Sequence, residues 1–85
     1  MKINEIKAGE IFCIGGTKTY PKLKLNVGCV DIRDHIPQKY EAQAHTINFD
    51  CEFMTEKEIE TEFKKYGMTI DDVENLKKEL SLRFN

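Results

Sequence analysis

Tyr20, Lys22 and Lys24 stand on alternate positions in the stretch TKTYPKLKL, residues 17 to 25, with Leu23 and Leu25 between and after the lysines. Alternate residues of an extended chain share one face. The spacing therefore lines up a ring that can stack on a base with ammonium groups that can neutralise phosphate. A neighbouring strand adds to the row if CVDIRDH, residues 29 to 35, returns antiparallel through Val27 and Gly28. An even-length loop is needed here, because only then do Leu23, Leu25, Val30 and Ile32 share a face.

The register expected from that loop pairs Lys24 with Asp31, Lys22 with Arg33 and Tyr20 with His35. Lys24 and Asp31 neutralise each other, whereas Lys22 and Arg33 repel unless an anion or carboxylate compensates. The candidate ligand site is thus Tyr20, Lys22, Lys24, Arg33 and His35. If a nucleotide binds, Tyr20 stacks on the base, Lys22 and Lys24 supply movable charge, and Arg33 grips phosphate through two hydrogen bonds. A structural alternative stands beside this one: lysines protect exposed sheet edges, and Pro21 is itself a residue of edge strands. Ile11 on the same surface adds a third arrangement, with Tyr20 covered by a helix and only the lysines in water.

Other chemistries find less in the sequence. Cys13, Cys29 and Cys51 are odd in number and form no CxxC pair, so neither a disulfide framework nor a zinc knuckle is expected. They read as reduced thiols filling small core positions. A nucleophilic pair of one of them with His35 or His45 has no local signature. The glycines of CIGGTK lead into a strand, whereas a phosphate loop leads into a helix. No catalytic residue, metal or cofactor is expected, and the chain reads as non-enzymatic.

Totals constrain the partners. The 85 residues suffice for one domain, and 13 Lys and Arg against 15 Asp and Glu give a net charge of -2. No general field draws the molecule to duplex DNA or to an anionic membrane, so any anion site must be local. The opening MKINEIKAGEIF is interrupted by charges where a secretory segment needs an apolar run. The expected location is the cytoplasm.

The elements that must position the row fall into two halves. Residues 1 to 54 alternate like strands, with seven positive and seven negative side chains; residues 55 to 85 have helical spacing, with six positive and eight negative. A first hairpin is expected at Gly15-Gly16, whose two-residue turn would set Phe12 opposite Thr19, Ile14 opposite Thr17, and Ile11 beside Tyr20. Residues 36 to 44 read as a loop. A further strand is expected over residues 46 to 53, with Ile47, Phe49, Cys51 and Phe53 inward.

Thr55 with Glu58, and Thr69 with Asp72, have capping-box spacing, and Met54 and Met68 precede the caps as staples. Ile59, Phe63 and Tyr66 form one inward stripe, closed by Gly67; Val73, Leu76, Leu80 and Phe84 form the next. The second helix opens TIDDVENLKKEL, too acidic to enter a DNA groove. EKEIETE, residues 56 to 62, reads as a solvated helix face, with phosphate mimicry as its functional alternative.

Gly9, Glu10 and Phe12, then Tyr20, Lys22 and Leu23, then Val30, Asp31 and Asp34 resemble a pattern of small proteins encoded by phages and prophages of Gram-positive bacteria. The resemblance covers the first half; from Thr55 onward the chain departs from it. It implies a small curled sheet or barrel, from genomes whose short accessory proteins inhibit host enzymes or blunt defence systems. It carries no catalytic residue across.

The expected fold is a single α+β domain over residues 1 to 85: a curled antiparallel sheet or barrel of about four strands, then a C-terminal helical hairpin packed on it. The expected function is a phage-encoded binding protein that counters a host system, by gripping a host protein or sequestering a nucleotide-derived signal. Single-stranded nucleic-acid binding is the alternative. A homo-oligomer would supply the concavity a nucleotide needs.

Overall fold

The computed structural model describes residues 1–32 and 44–85. A short 3-10 turn, Ile3–Glu5, precedes four strands, β1 (Ile11–Ile14), β2 (Lys22–Lys24), β3 (Cys29–Asp31) and β4 (Cys51–Phe53), and two helices, α1 (Glu56–Lys64) and α2 (Ile70–Phe84). The strands form one antiparallel sheet in the order β3-β2-β1-β4. The sheet is open, so the α+β class holds and the barrel alternative does not.

Both helices begin as their sequences require. The Thr55 and Thr69 hydroxyls accept the Glu58 and Asp72 backbone N–H groups at 3.2 Å each, and those carboxylates accept the cap N–H groups at 2.9 Å. Gly67, at φ +72°, closes the first helix. The Met68 N–H reaches back to the Phe63 carbonyl and the Gly67 N–H to the Lys64 carbonyl, the paired bonds of a Schellman ending. Phe63, Val73 and Leu80 are buried as expected, with Ile59, Leu76 and Phe84 packed beside them. Tyr66, expected inward, is exposed.

Three expectations about the strands change. The first hairpin does not close at Gly15-Gly16 with Phe12 opposite Thr19; instead Ile11 pairs with Leu23 and Phe12 with Lys22. The physical reason is the turn type. Only Gly16 of the two glycines has positive φ, +84°, and the Thr17 N–H donates to the Ile14 carbonyl, which is a type II turn. That geometry does not match strand twist as a type I′ turn does. The chain therefore needs further residues, with Lys18 at φ +52° and Tyr20 at φ +53°, before it pairs again.

The second hairpin keeps its even loop, and Leu23, Leu25, Val30 and Ile32 do share one buried cluster. Its register is shifted by two: Lys22 faces Asp31 and Lys24 faces Cys29. The third change concerns residues 46 to 53, of which only Cys51–Phe53 are strand. Ile47 and Cys51 are buried, but Phe49 is 68 % exposed and Phe53 43 %.

The sheet is buried on both faces. Ile11, Cys13, Leu23, Leu25, Val30 and Ile32 cluster with Met54 and, from the helices, with Phe63, Val73 and Leu80. Across the sheet, Phe12, Cys29 and Cys51 meet Ile6 and Ile47, with Ile3 and Ile14 beside them. A one-sided sheet with a wet face, the basis for an open lysine row, is not what this chain builds.

Candidate functional site

Strand β2 alternates Lys22, Leu23, Lys24, and Leu23 belongs to the helix-side core. Period two therefore turns both lysines to the Phe12 and Cys29 face. Each lysine is only 7 % exposed. The Lys22 ammonium lies 2.8 Å from Asp31 Oδ1 and also donates to the Tyr20 carbonyl at 3.4 Å. The Lys24 ammonium donates to the Leu25 carbonyl at 2.6 Å, with no carboxylate within 4.0 Å among the described residues. Tyr20 is 52 % exposed. The expected row is thus divided, Tyr20 half exposed and its two β2 lysines inside. Arg33 and His35 lie outside the described residues, as do residues 36 to 43 of the loop expected over 36 to 44.

What the fold does assemble is a different group. Cys29 and His45 pair through two backbone hydrogen bonds of 2.7 and 2.9 Å at the outer edge of β3. That pairing sets His45 Nε2 3.2 Å from Asp31 Oδ1 and 3.9 Å from Cys29 Sγ. Gly28 permits the approach. Its φ is +73°, and a Cβ there would stand 2.3 Å from the His45 carbonyl oxygen.

Burial raises the Asp31 carboxyl, but the hydrogen bond and charge of Lys22, with a further contribution from His45, outweigh it and hold the group below its ordinary value. Burial, reinforced by Asp31, pushes the Cys29 thiol up to about 11. Cysteine, histidine and aspartate therefore meet without forming a nucleophilic triad. A triad needs a thiolate and a base that uses one ring nitrogen for the nucleophile and the other for the carboxylate. Here the thiol is protonated at neutral pH, and the same Nε2 faces both partners.

Sequence reasoning named these three residue types and missed their meeting. Sixteen positions separate Cys29 from His45, and no motif spans them. The one local signal was Gly28 next to Cys29.

Two surfaces bear on the ligand classes expected from the sequence. The first lies at β4, whose backbone is met at Cys51 by the Met1 amine and carbonyl, while the Lys18 ammonium donates to the Phe53 carbonyl at 3.2 Å. Gly15 N–H donates to the Asp50 carbonyl and Cys51 N–H to the Met1 carbonyl, which fixes the alternation of the β1–β4 ladder. That alternation turns the Phe53 N–H away from β1. Phe53 on β4 and Phe49, two residues before the strand begins, present exposed rings.

The second surface is a cleft of about 320 Å³ between the residue 17–19 loop and α1. Of its cations, Lys18 is held by Glu52 and Glu58 at 3.4 Å each and Lys65 by Glu62 at 3.0 Å, while Lys57 makes no ion pair among the described residues. Its charge is nearly balanced, which gives an anion little advantage there.

No metal-holding group of three or more His, Cys, Asp or Glu residues occurs among the described residues. No helix among them is long and apolar enough to cross a membrane. Comparison with protein-family models, with curated proteins and with solved structures finds no match to this chain.

Proposed function

We infer that the chain is a non-enzymatic binding protein of a phage or prophage, which counters a bacterial host system by docking onto a host protein. The observation that carries this reading is the pair of exposed rings, Phe49 at 68 % and, on β4, Phe53 at 43 %. Burying a phenylalanine is worth roughly 1.5–3 kcal/mol. Phe49 and, in part, Phe53 forgo some of that stabilisation in a small domain, and aromatic residues are the usual anchors of protein interfaces.

A protein partner is favoured over a nucleotide signal or a single strand. Of the cations those ligands need, Lys22 and Lys24 are buried and Lys22 is already neutralised by Asp31. Phage plating on a defence-bearing bacterium that expresses the chain tests the reading. The unaltered chain should restore plating, and the Phe49→Ala, Phe53→Ala double variant should not, with its circular dichroism melt unchanged. A folded double variant that restores plating fully, or a purified chain that binds cyclic nucleotides or oligonucleotides tightly, overturns it.

A further inference from the structure

Between β1 and the two helices the structure leaves a cleft of about 170 Å³. Its floor is hydrocarbon: Ile11, Met54, Ile59, Ile70 and Val73. Around the floor stand the exposed Glu10, Glu56 and Glu74, together with Lys77. Lys77 is taken by Glu74 at 3.4 Å, so Glu10 and Glu56 have no cation within 4.0 Å among the described residues.

Size and charge select the occupant. Pockets for metabolites run to about 300–1,000 Å³, and this cleft is smaller. It equals the room of about six waters at ~30 Å³ each, which suits one extended side chain. An anionic occupant is repelled by the rim, and a purely apolar one removes water from two carboxylates that it cannot pair. A lysine or arginine meets both demands, since its stem is aliphatic and its head is charged. The partial charge at the α1 N-terminus, about +0.5, opposes a cation, but two full carboxylates outweigh it.

We propose that this cleft is the docking site for one basic side chain, arginine before lysine, presented by a partner protein. The stem lies along Ile11, Met54 and Ile59, and the guanidinium, with its planar fork of donors, meets Glu10 and Glu56. The identity of the occupant as part of a protein rests on the binding reading above. The cleft itself does not, and a small probe separates the two.

The test is a methyl and amide NMR titration of the full chain with acetyl-arginine-amide, run in parallel with acetyl-citrulline-amide, which has the same shape without the charge. Saturable shifts confined to Ile11, Met54, Ile59 and Ile70 are expected with arginine and not with citrulline. The Glu10→Gln, Glu56→Gln double variant should bind the arginine probe about tenfold more weakly or worse, the loss of about 1.4 kcal/mol, with its thermal midpoint kept. No saturable shift, equal shifts from citrulline, shifts scattered over other surfaces, or undiminished binding by the double variant each overturn the site. In any of these cases the Phe49 and Phe53 reading stands or falls by its own plating experiment.

Discussion

Asp31 is the carboxylate on which three parts of the chain converge: Lys22 of β2 at 2.8 Å, His45 at 3.2 Å, and Cys29 of its own strand through His45. Lys22 is the partner with most at stake, because its side chain is 8 % exposed against 30 % for Asp31. Removing the carboxylate strands a buried ammonium. Asp31→Asn should therefore cost about 2–3 kcal/mol, somewhat below the about 3–5 of a fully buried pair because Asp31 keeps part of its hydration. The same pair gives stability a pH dependence. The folded Asp31 carboxyl titrates below its ordinary value of about 3.9. Its contribution is therefore complete above that value and is lost as pH falls through the lowered one. Urea midpoints of the unaltered chain should fall between about pH 5 and pH 2 more steeply than those of Asp31→Asn. Parallel curves would show that the pair contributes no pH-linked stability. That β2 lysine charge is neutralised by Asp31 was legible in the sequence, but with Lys24 in the place Lys22 occupies, because parity fixes which face a residue takes and leaves open a shift of two.

At the scale of elements, the helices and the strands differ in how much the sequence determines. Each helix carries its start signal within four residues, Thr55 to Glu58 and Thr69 to Asp72, and both boxes form. Strands of three or four residues carry no such signal, and their register depends on turns whose type is decided by contacts elsewhere. Gly15 illustrates this: its N–H goes to the carbonyl of Asp50, just before β4, and the Gly16 N–H goes to the Glu52 carboxylate. The turn is thus held by β4, which no local reading of GG includes. Gly28 makes the corresponding point at the other edge. A left-handed backbone costs a non-glycine residue about 1–3 kcal/mol, and a Cβ would also meet the His45 carbonyl oxygen at 2.3 Å. Gly28→Ala should consequently do more than destabilise. It should break the Cys29–His45 pairing, and hydrogen exchange at the His45 and Cys29 amides should accelerate well beyond that of α2 amides. An equal loss of protection everywhere would mean the clash is relieved by global unfolding alone and that the His45 attachment is not a separable unit.

The whole molecule is two hydrophobic clusters on opposite faces of one small sheet, joined through the backbone of β1 and β2. Amphipathic patterning revealed the helix-side cluster, because Leu23, Leu25, Val30 and Ile32 repeat with the strand period. The other cluster was hidden from pattern, since Ile3, Ile6 and Ile47 lie outside the strands and β2 offers lysines to that side. Because β1 contributes Ile11 and Cys13 to one cluster and Phe12 to the other, neither can lose its strand without the other losing a wall. Phe63 tests this directly. It is fully buried between α1 and the sheet, with no contribution to the second cluster. Phe63→Ala should cost about 3–5 kcal/mol, a large share of the roughly 4–13 kcal/mol expected for a chain of this length. If the two clusters are one cooperative unit, exchange protection at Phe12 and Cys29, on the far side, should fall by the same free energy as protection at Val73 and Leu80. Retained protection at Phe12 and Cys29 would show that the N-terminal segment, Ile47 and the far face of the sheet hold together independently of the helices.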